Sequence, residues 1–228
     1  FFFHPHPAKR DPLWSRGLGD VYKRQCLYWA KEHFGVENIE AITFNYGQRH
    51  NIEISCAKKI AAKNNIVHHI LPINTFKTIG GNSLMNKDDL IDPEKFKNLP
   101  KTFVPGRNII FLTYAAAVAW QRDIGHLVIG VAQTDFSGYP DCRNDTMEAL
   151  EKTLNLGLES RFKIHAPLMN LSKKDTITLA TKLNAIDIMA DTHTCYEGVK
   201  PPCQICAACQ LRAKGFLDAG VNDPLLLK

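Results

Sequence analysis

Four cysteines lie close together near the end of the chain: Cys195, Cys203, Cys206 and Cys209. Their spacing, C-x7-C-x2-C-x2-C, allows one tetrahedral ion to collect four ligands from a single loop. Zinc takes four thiolates at about 2.3 Å and has no directional preference that the loop would have to satisfy. The spacing therefore predicts a closed structural zinc site, which stabilises the fold and performs no chemistry itself.

Three other uses of these cysteines are open on sequence grounds: disulfides, a redox-active C-x-x-C motif and an iron–sulfur cluster. A single zinc ion has the advantage that it accounts for all four thiols at once. The chain has seven cysteines, an odd number, and Cys26, Cys56 and Cys142 have no obvious mates. This usage indicates a reducing compartment and predicts a cytoplasmic protein.

A second group of residues could bind an anion. Residues 105–108, PGRN, stand at the start of a predicted helix. Gly106 permits close approach of the backbone, the helix start offers exposed N–H groups, and Arg107 adds a guanidinium. The motif predicts a site for phosphate or carboxylate. An ordinary helix start with a solvated arginine would have the same sequence.

The richest segment is DFSGYPDCR, residues 135–143, which follows a predicted buried strand. A carboxylate such as Asp135 or Asp141 can accept two hydrogen bonds from the N1–H and N2–H groups of a guanine-like edge. Phe136 or Tyr139 could stack on the face of the same base. The segment therefore predicts a purine site, the alternative being a turn with a surface ion pair.

The elements that would position these groups alternate along the chain. Residue periodicity predicts strands over 39–46, 66–73, 126–132 and 162–167, and helices over 26–34, 52–64, 108–120, 145–158 and 172–182. We expect Gly35 to end the first helix and a Ser172–Asp175 capping box to begin the last. The polar residues 74–101 predict a long excursion that could fold over the site.

This alternation predicts an α/β fold, a mostly parallel sheet with helices on both faces. Ligands of such sheets bind beyond the carboxyl ends of the strands. The polar segments 46–50, 104–108 and 133–143 all follow strands or begin helices, so we expect them to face one cleft.

Composition narrows the class of protein only in part. A chain of 228 residues that is 45% hydrophobic can bury a full core as one domain, and no apolar run approaches the roughly 18 residues of a membrane span. The net charge of +5 is spread along the chain and fits a small anionic substrate or an RNA equally well.

Residues 1–25 differ from the rest, with three prolines, no strand or helix period and none of the features of a secretory signal. Their ending, DVYKRQ, is similar to a translated sequencing adapter, so we expect them to be foreign to the fold; a genuine disordered extension is the alternative. Residues 26–190 would then form a nucleotide-binding α/β domain, with residues 191–228 as a zinc-binding segment packed on it.

Four motifs together resemble the 7-cyano-7-deazaguanine synthase family of queuosine biosynthesis, from about Cys26 to the end: TFNYGQRH, TFVPGRN, GVAQTDFSGYPDCR and C-x7-C-x2-C-x2-C-x2-R-x2-GF. The resemblance implies an adenine-nucleotide alpha-hydrolase fold, also called the PP-loop ATP pyrophosphatase fold and Rossmann-like, a structural Zn²⁺ and a homodimer. It also implies a carbon–nitrogen ligase that turns 7-carboxy-7-deazaguanine, ammonia and ATP into 7-cyano-7-deazaguanine through an adenylated carboxylate, with Mg²⁺ on the phosphates. No membrane or direct nucleic-acid partner is implied.

The resemblance also implies roles for individual residues. Those expected on the deazaguanine and its carboxylate are Asp135, Ser137, Tyr139, Asp141 and Arg143. Those expected on ATP or the activated carboxylate are Thr43, Phe44, Tyr46, Gly106 and Arg107. Arg107 and Arg143 are the candidates for catalytic roles.

One departure from the family pattern concerns ATP. The family begins with a strand and a phosphate loop of the form SGGxDS, directly before the helix that here runs through Cys26. This chain has DVYKRQ, residues 20–25, in that place. Gly17 and Gly19 are not expected to substitute, because no strand is predicted before them and no hydroxyl follows. We therefore expect the chain as written to be a catalytically inactive member of the family.

Two rival functions remain open from sequence. A PP-loop tRNA-modifying enzyme that adenylates a base would carry catalytic cysteines near the nucleotide, and Cys142 is the one candidate there. A zinc-ribbon regulator would bind nucleic acid through a stripe of lysines and arginines, but residues 192–212 contain only one of each, Lys200 and Arg212.

Overall fold

The computed structural model describes residues 13–15, 21–47, 52–79, 103–133, 139–195 and 199–227. Its strands are β1 Leu13–Ser15, β2 Glu40–Asn45, β3 Val67–Pro72, β4 His126–Val128 and β5 Lys163–His165. Its α-helices are α1 Val21–Phe34, α2 Ile52–Lys63, α3 Thr75–Ile79, α4 Arg107–Gln121, α5 Asn144–Gly157, α6 Lys173–Lys182 and α7 Ala207–Asp218. None of the helices within these ranges is long and apolar enough to cross a membrane.

All strand pairs in the described residues are parallel. β1 pairs with β2 and β2 with β3, while β4 pairs with β5. Because β1 also lies beside β4, the strands follow one another in space as 3-2-1-4-5. This is the strand order of a doubly wound α/β fold. Strands are added on one side of β1 up to β3 and then on its other side from β4 onward, so the strand order reverses between β1 and β4. The predicted fold class is confirmed.

Helices cover the sheet on both faces, as the alternation along β2 shows. Ile42 and Phe44 belong to the core cluster that α4 and α5 cover, whereas Ala41 belongs to the cluster that α1 and α2 cover. Successive strand residues point to opposite faces, so the strand is sandwiched. Residues 40–44 are all buried, including the polar Glu40 and Thr43, so both faces of this strand are covered.

The predicted helix ends are confirmed in two places. Gly35 has φ 80° directly after α1, and its N–H donates to the Lys31 carbonyl at 3.1 Å. Ser172 and Asp175 form the reciprocal capping box at the start of α6. The strands predicted over 126–132 and 162–167 are shorter than expected, although the Ile129 N–H still donates to the His165 carbonyl at 2.8 Å.

Three elements differ from those predicted, two near the start of the chain and one near its end. The expectation that no strand precedes Gly17 and Gly19 is wrong, because Leu13–Ser15 pairs in parallel with residues 41–43. Helix α1 begins at Val21, ahead of the predicted start at Cys26. Helix α7 was not predicted, since the cysteines that open it hide its periodicity.

The long excursion predicted over residues 74–101 begins with a short helix, α3, whose Phe76 is buried in the core. The remainder of that segment lies outside the described residues. Within α1, Gln25 is completely buried, and neither polar atom of its amide has a hydrogen-bond partner among the residues described. Such a buried amide is unusual in a native core.

Glu40 ties three elements together at the edge of the sheet where β2 begins and α4 ends. Its buried carboxylate accepts from His69 Nε2 and from Arg122 Nη2, each at 2.7 Å. Burial alone would raise the pKa of Glu40, but the hydrogen bonds from His69 and Arg122 outweigh it and hold that pKa below its ordinary value. Ionised Glu40 therefore stabilises the fold.

We expect Glu40→Gln to lower the free energy of unfolding near neutral pH by about 2 kcal/mol, the scale for hydrogen bonds to a charged group. Because the folded pKa is depressed, this stabilisation is present above the ordinary value of 4.5 and is lost as pH falls through the lower folded value. Urea unfolding should therefore show the gap between wild type and variant closing in acid. Exposed Glu159→Gln is the control; an equal effect there would contradict the assignment.

Candidate active site and metal centre

A buried arginine lies where β2 ends and α4 begins. Arg107, the first residue of α4, is only 1% exposed. Its Nη1 donates a long hydrogen bond of 3.5 Å to the hydroxyl of Tyr46, and its guanidinium carbon lies 5.9 Å from the centre of the Tyr46 ring. Two of the predicted polar segments therefore meet at this point.

The charge of Arg107 is poorly satisfied by the described part of the chain. Its Nε has no hydrogen-bond partner, and the bond to Tyr46 is the one that its guanidinium makes within the described ranges. Burying a cation without a partner is costly, so a buried guanidinium in a cleft is suited to an anionic ligand. This is the electrostatic feature that the geometry offers to a phosphate or carboxylate.

Asp141 brings the third predicted segment to the same place. Its Oδ2 accepts from the backbone N–H of Asn108 at 2.9 Å. The Asn108 side-chain amide donates in return to the Asp141 carbonyl at 3.4 Å and to Cys142 Sγ at 3.1 Å. Asn108 and Asp141 are 2% and 4% exposed. The three polar segments therefore meet in the parts described, as expected. That they face one cleft stays a prediction.

The same contact corrects one detail of the anion site predicted at residues 105–108. The Asn108 N–H, expected to be exposed for an anion, is taken by Asp141, and the Arg107 N–H donates to the Val104 carbonyl at 3.2 Å. The start of α4 is thus capped from within the chain. Anion binding at this motif is left to the guanidinium of Arg107.

Gly106, the residue before Arg107, has open space at its Cβ position. It has φ 66°, in the left-handed region that favours glycine, and a Cβ built on it would meet none of the described atoms within 4 Å. The rings of Phe103 and Tyr139 stack with centres 6.0 Å apart and planes at 22°. This pair joins the segment before α4 to the segment before α5.

The other predicted site residues are placed less centrally. Thr43 is fully buried, with its hydroxyl 2.8 Å from His68 Nε2, and Phe44 stacks on Phe111 at 4.4 Å. These two side chains pack the sheet rather than line an opening. Arg143 is exposed immediately before α5. The predicted Asp135 and Ser137 lie outside the described residues.

The four cysteines of the terminal motif form a cluster that could hold a metal ion. Their Sγ atoms all lie within 4.8 Å of one another, and Cys203 and Cys209 are 3.9 Å apart. Sulfurs bound tetrahedrally to one zinc ion would be about 3.8 Å apart. The N–H groups of Cys206 and Cys203 point at the sulfurs of Cys203 and Cys195, at 3.4 and 3.5 Å. The donor set therefore fits a thiophilic metal.

The cluster is costly to ionise without a cation. Burial, aided by the neighbouring Cys206 and Cys203 thiols, raises the pKa of the Cys209 thiol to about 12. A bound metal ion would supply the positive charge that makes four thiolates tolerable in one place.

Arg212 was not singled out by the sequence analysis as a site residue, although it stands in the terminal C-x2-R motif. It is 3% exposed and forms two hydrogen bonds to the Asp223 carboxylate, at 2.5 and 2.6 Å. Its Nη1 also donates to the Thr192 hydroxyl at 2.5 Å. Arg212 thereby fastens α7 to the segments before Cys195 and after α7. Its position three residues after Cys209 is the feature of the sequence that could have pointed to it.

Comparisons with known proteins agree with these motifs. Residues 19–220 match the family described as "Queuosine biosynthesis protein QueC". The chain is 56% identical over 205 residues to the 7-cyano-7-deazaguanine synthase of Chromobacterium violaceum, covering 88% of this chain and 87% of the relative. It is 56% identical over 203 residues to the enzyme of Laribacter hongkongensis, covering 88% of each. Identity to the Lysinibacillus sphaericus enzyme is 47% over 193 residues, covering 84% and 87%.

Proposed function

The chain belongs to the QueC family, and from this membership we propose that it is an ATP-dependent ligase converting 7-carboxy-7-deazaguanine and ammonia into 7-cyano-7-deazaguanine for queuosine biosynthesis. Buried Arg107, with an unpartnered Nε at the meeting point of three motif segments, is the observation that best supports an anionic substrate here. Family membership favours this function over the tRNA-modifying and regulatory alternatives.

The proposed chemistry begins with a carboxylate that is too poor an electrophile to react with ammonia. A carboxylate oxygen attacks the α-phosphorus of ATP and pyrophosphate leaves, giving an acyl adenylate. Ammonia then attacks the acyl carbon, AMP leaves, and the resulting amide is activated in the same way. Loss of AMP and a proton from the activated amide leaves the nitrile. Mg²⁺ would accompany the phosphates and screen their charge.

We assign this chain's groups to that reaction as follows. Arg107 would hold the carboxylate or the oxygens of its adenylate, where a desolvated guanidinium stabilises developing negative charge strongly. Tyr139 would stack on the deazaguanine and Asp135 would accept from its edge, with Ser137 and Arg143 completing the pocket. Of the strand residues proposed to meet ATP, Tyr46 is supported by its contact with Arg107.

Residues 20–25 bear on whether the chain as written turns over. A phosphate loop would lie between β1 and α1, where residues 16–20 have the sequence RGLGD. This sequence contains Gly17 and Gly19 but does not have the SGGxDS pattern of the family. The buried, unpartnered amide of Gln25 is also what a segment poorly matched to this core would produce. We therefore propose that the chain carries the site of this ligase, but that residues 1–25 as written prevent turnover.

A repaired chain tests the function. Replacing residues 1–25 with a short apolar strand followed by Ser-Gly-Gly-Leu-Asp-Ser should create ATP- and ammonia-dependent formation of the nitrile from 7-carboxy-7-deazaguanine. Since losing one preorganised donor costs roughly 100- to 1,000-fold in rate, the unrepaired chain should show no measurable turnover. Product formation is followed chromatographically for both chains under identical conditions.

The matched control is the repaired chain with Arg107→Leu, which removes the buried charge. It should fold and lose the reaction. Nitrile formation by the unrepaired chain at the repaired rate would contradict our reading of residues 1–25, and an inactive but folded repaired chain would contradict the proposed function.

We further propose that the metal is zinc. Four thiolates suit zinc in a closed structural site. The residues between the first and the last of these cysteines include no histidine and one carboxylate, Glu197. The ion would stabilise the fold and leave the reaction to the other site.

Elemental analysis should find about one zinc per chain, and Cys206→Ser should lose most of it together with several kcal/mol of stability, because metal binding is coupled to folding. Cys142→Ser, a thiol outside the cluster, is the control and should keep its zinc. Iron in place of zinc, or less than roughly half an equivalent in the wild type, would contradict the assignment.

A homodimer in the cytoplasm is the last part of the proposal. Helix α4 has no ionised side chain after Arg107, and its outer face exposes Ile109, Tyr114 and Trp120 by 38 to 49%. Leu156 of α5, 73% exposed, borders the same groove as Trp120. An exposed helix face without charges is suited to burial against a second copy of the chain.

Trp120→Glu should therefore weaken dimerisation by roughly 30-fold or more, the scale for losing a central aromatic contact. Light scattering coupled to gel filtration over a range of concentrations measures the effect. Leu217→Glu changes an exposed leucine on another helix and should leave the mass unchanged. If both variants dimerise like the wild type, the α4 face is not the interface.

A further inference from the structure

We propose that Asp141 is a positioning residue, which caps α4 from a neighbouring segment and thereby fixes Arg107 in the site. The sequence alone suggested that Asp141 reads the edge of the purine. The identity of the anion that Arg107 binds rests on the proposed function, whereas the capping role does not.

The start of α4 depends on a cap that its own residues do not provide. Gly106 occupies the N-cap position and has no side chain to accept a hydrogen bond. Asp141 accepts from the N–H of Asn108 in the first turn, and the Asn108 amide returns a hydrogen bond to the Asp141 carbonyl. Because both residues are almost fully buried, no solvent could replace this cap cheaply.

The cap also decides where an anion can bind. A helix start normally attracts phosphate through its N–H groups and its dipole. Here the Asp141 carboxylate takes that place, so a second anion would meet both an occupied donor and a like charge. The guanidinium of Arg107, one residue ahead of Asn108 and unpartnered at Nε, is left as the attractive group. Asp141 therefore directs the anion to Arg107.

The geometry weighs against direct reading of a base by Asp141. Its Oδ2 is engaged by Asn108, its Oδ1 lies 3.8 Å from Cys142 Sγ, and the residue is 4% exposed. A purine edge would have to displace the cap to reach it. Asp135, in the same motif, remains the predicted reader of the base.

The two roles differ in the effect of Asp141→Asn. Asparagine keeps an oxygen that can accept from the Asn108 N–H, so exchange of that amide should stay within about threefold of the wild type. Asp141→Ala removes the acceptor and should accelerate the same amide about 5- to 30-fold. Asp145→Asn, an exposed carboxylate in the first turn of α5, is the control and should change neither exchange nor binding.

Calorimetry with two deazaguanines completes the test: the 7-carboxy compound, which carries the anion, and the neutral 7-cyano compound, which shares the base. Asp141→Ala should weaken binding of the 7-carboxy compound at least tenfold more than that of the 7-cyano compound, because Arg107 loses its position. Asp141→Asn should restore most of this difference, which a general loss of stability would not do.

Two results would overturn the proposal. One is an unchanged exchange rate of the Asn108 amide in Asp141→Ala, which would show that Asp141 does not cap α4. The other is weakening of both compounds by tenfold or more in Asp141→Asn with normal exchange, as expected if Asp141 reads the base. If the wild type binds neither compound, the proposed function fails, while amide exchange still decides whether Asp141 caps α4. If Asp141→Ala does not fold, the Asn variant still separates the two roles by exchange and binding.

Discussion

A buried guanidinium without an ion-pair partner in the described residues is the constraint on which the arrangement of this site depends. Desolvating Arg107 is unfavourable, and within the described residues its guanidinium contacts the Tyr46 hydroxyl rather than a carboxylate. Its backbone position is fixed by the start of α4, and its side chain by Tyr46 at the end of β2. Among the described residues no carboxylate pairs with this charge, which leaves the guanidinium suited to an anionic ligand.

The residues that stabilise β2 and α4 lie at the opposite ends of these elements from Arg107. Glu40 joins the beginning of β2 to β3 and to the end of α4. Since the same strand and helix reach Arg107 at their opposite ends, anchoring them far from the site fixes its geometry. The terminal segment is separately stabilised by its cysteine cluster and by the buried Arg212–Asp223 pair. Stability and ligand binding are thus divided among different residues.

Sequence reasoning succeeded where one local signal determines the structure. The apolar run of β2, the Gly35 helix end and the capping box of α6 each depend on a few neighbouring residues. It did not find the Asp141–Asn108 contact, because a hydrogen bond across 33 positions leaves no local pattern. It also could not tell that Thr43 and Phe44 pack the sheet, since a buried parallel strand has no polar face to separate lining from packing residues.

The first strand shows the difference between what a fold requires and what chemistry requires. The order 3-2-1-4-5 places β1 in the middle of the strands, yet a strand is held by its backbone, so residues without a clear β pattern can occupy that place. Phosphate binding is more demanding, because the backbone must turn tightly before α1 and present several N–H groups at once, which requires glycines. A core position in α1 is similarly selective, as the unpartnered amide of Gln25 indicates. Strand β1 and helix α1 therefore complete the architecture of the family, although the residues between them, RGLGD, depart from its SGGxDS pattern.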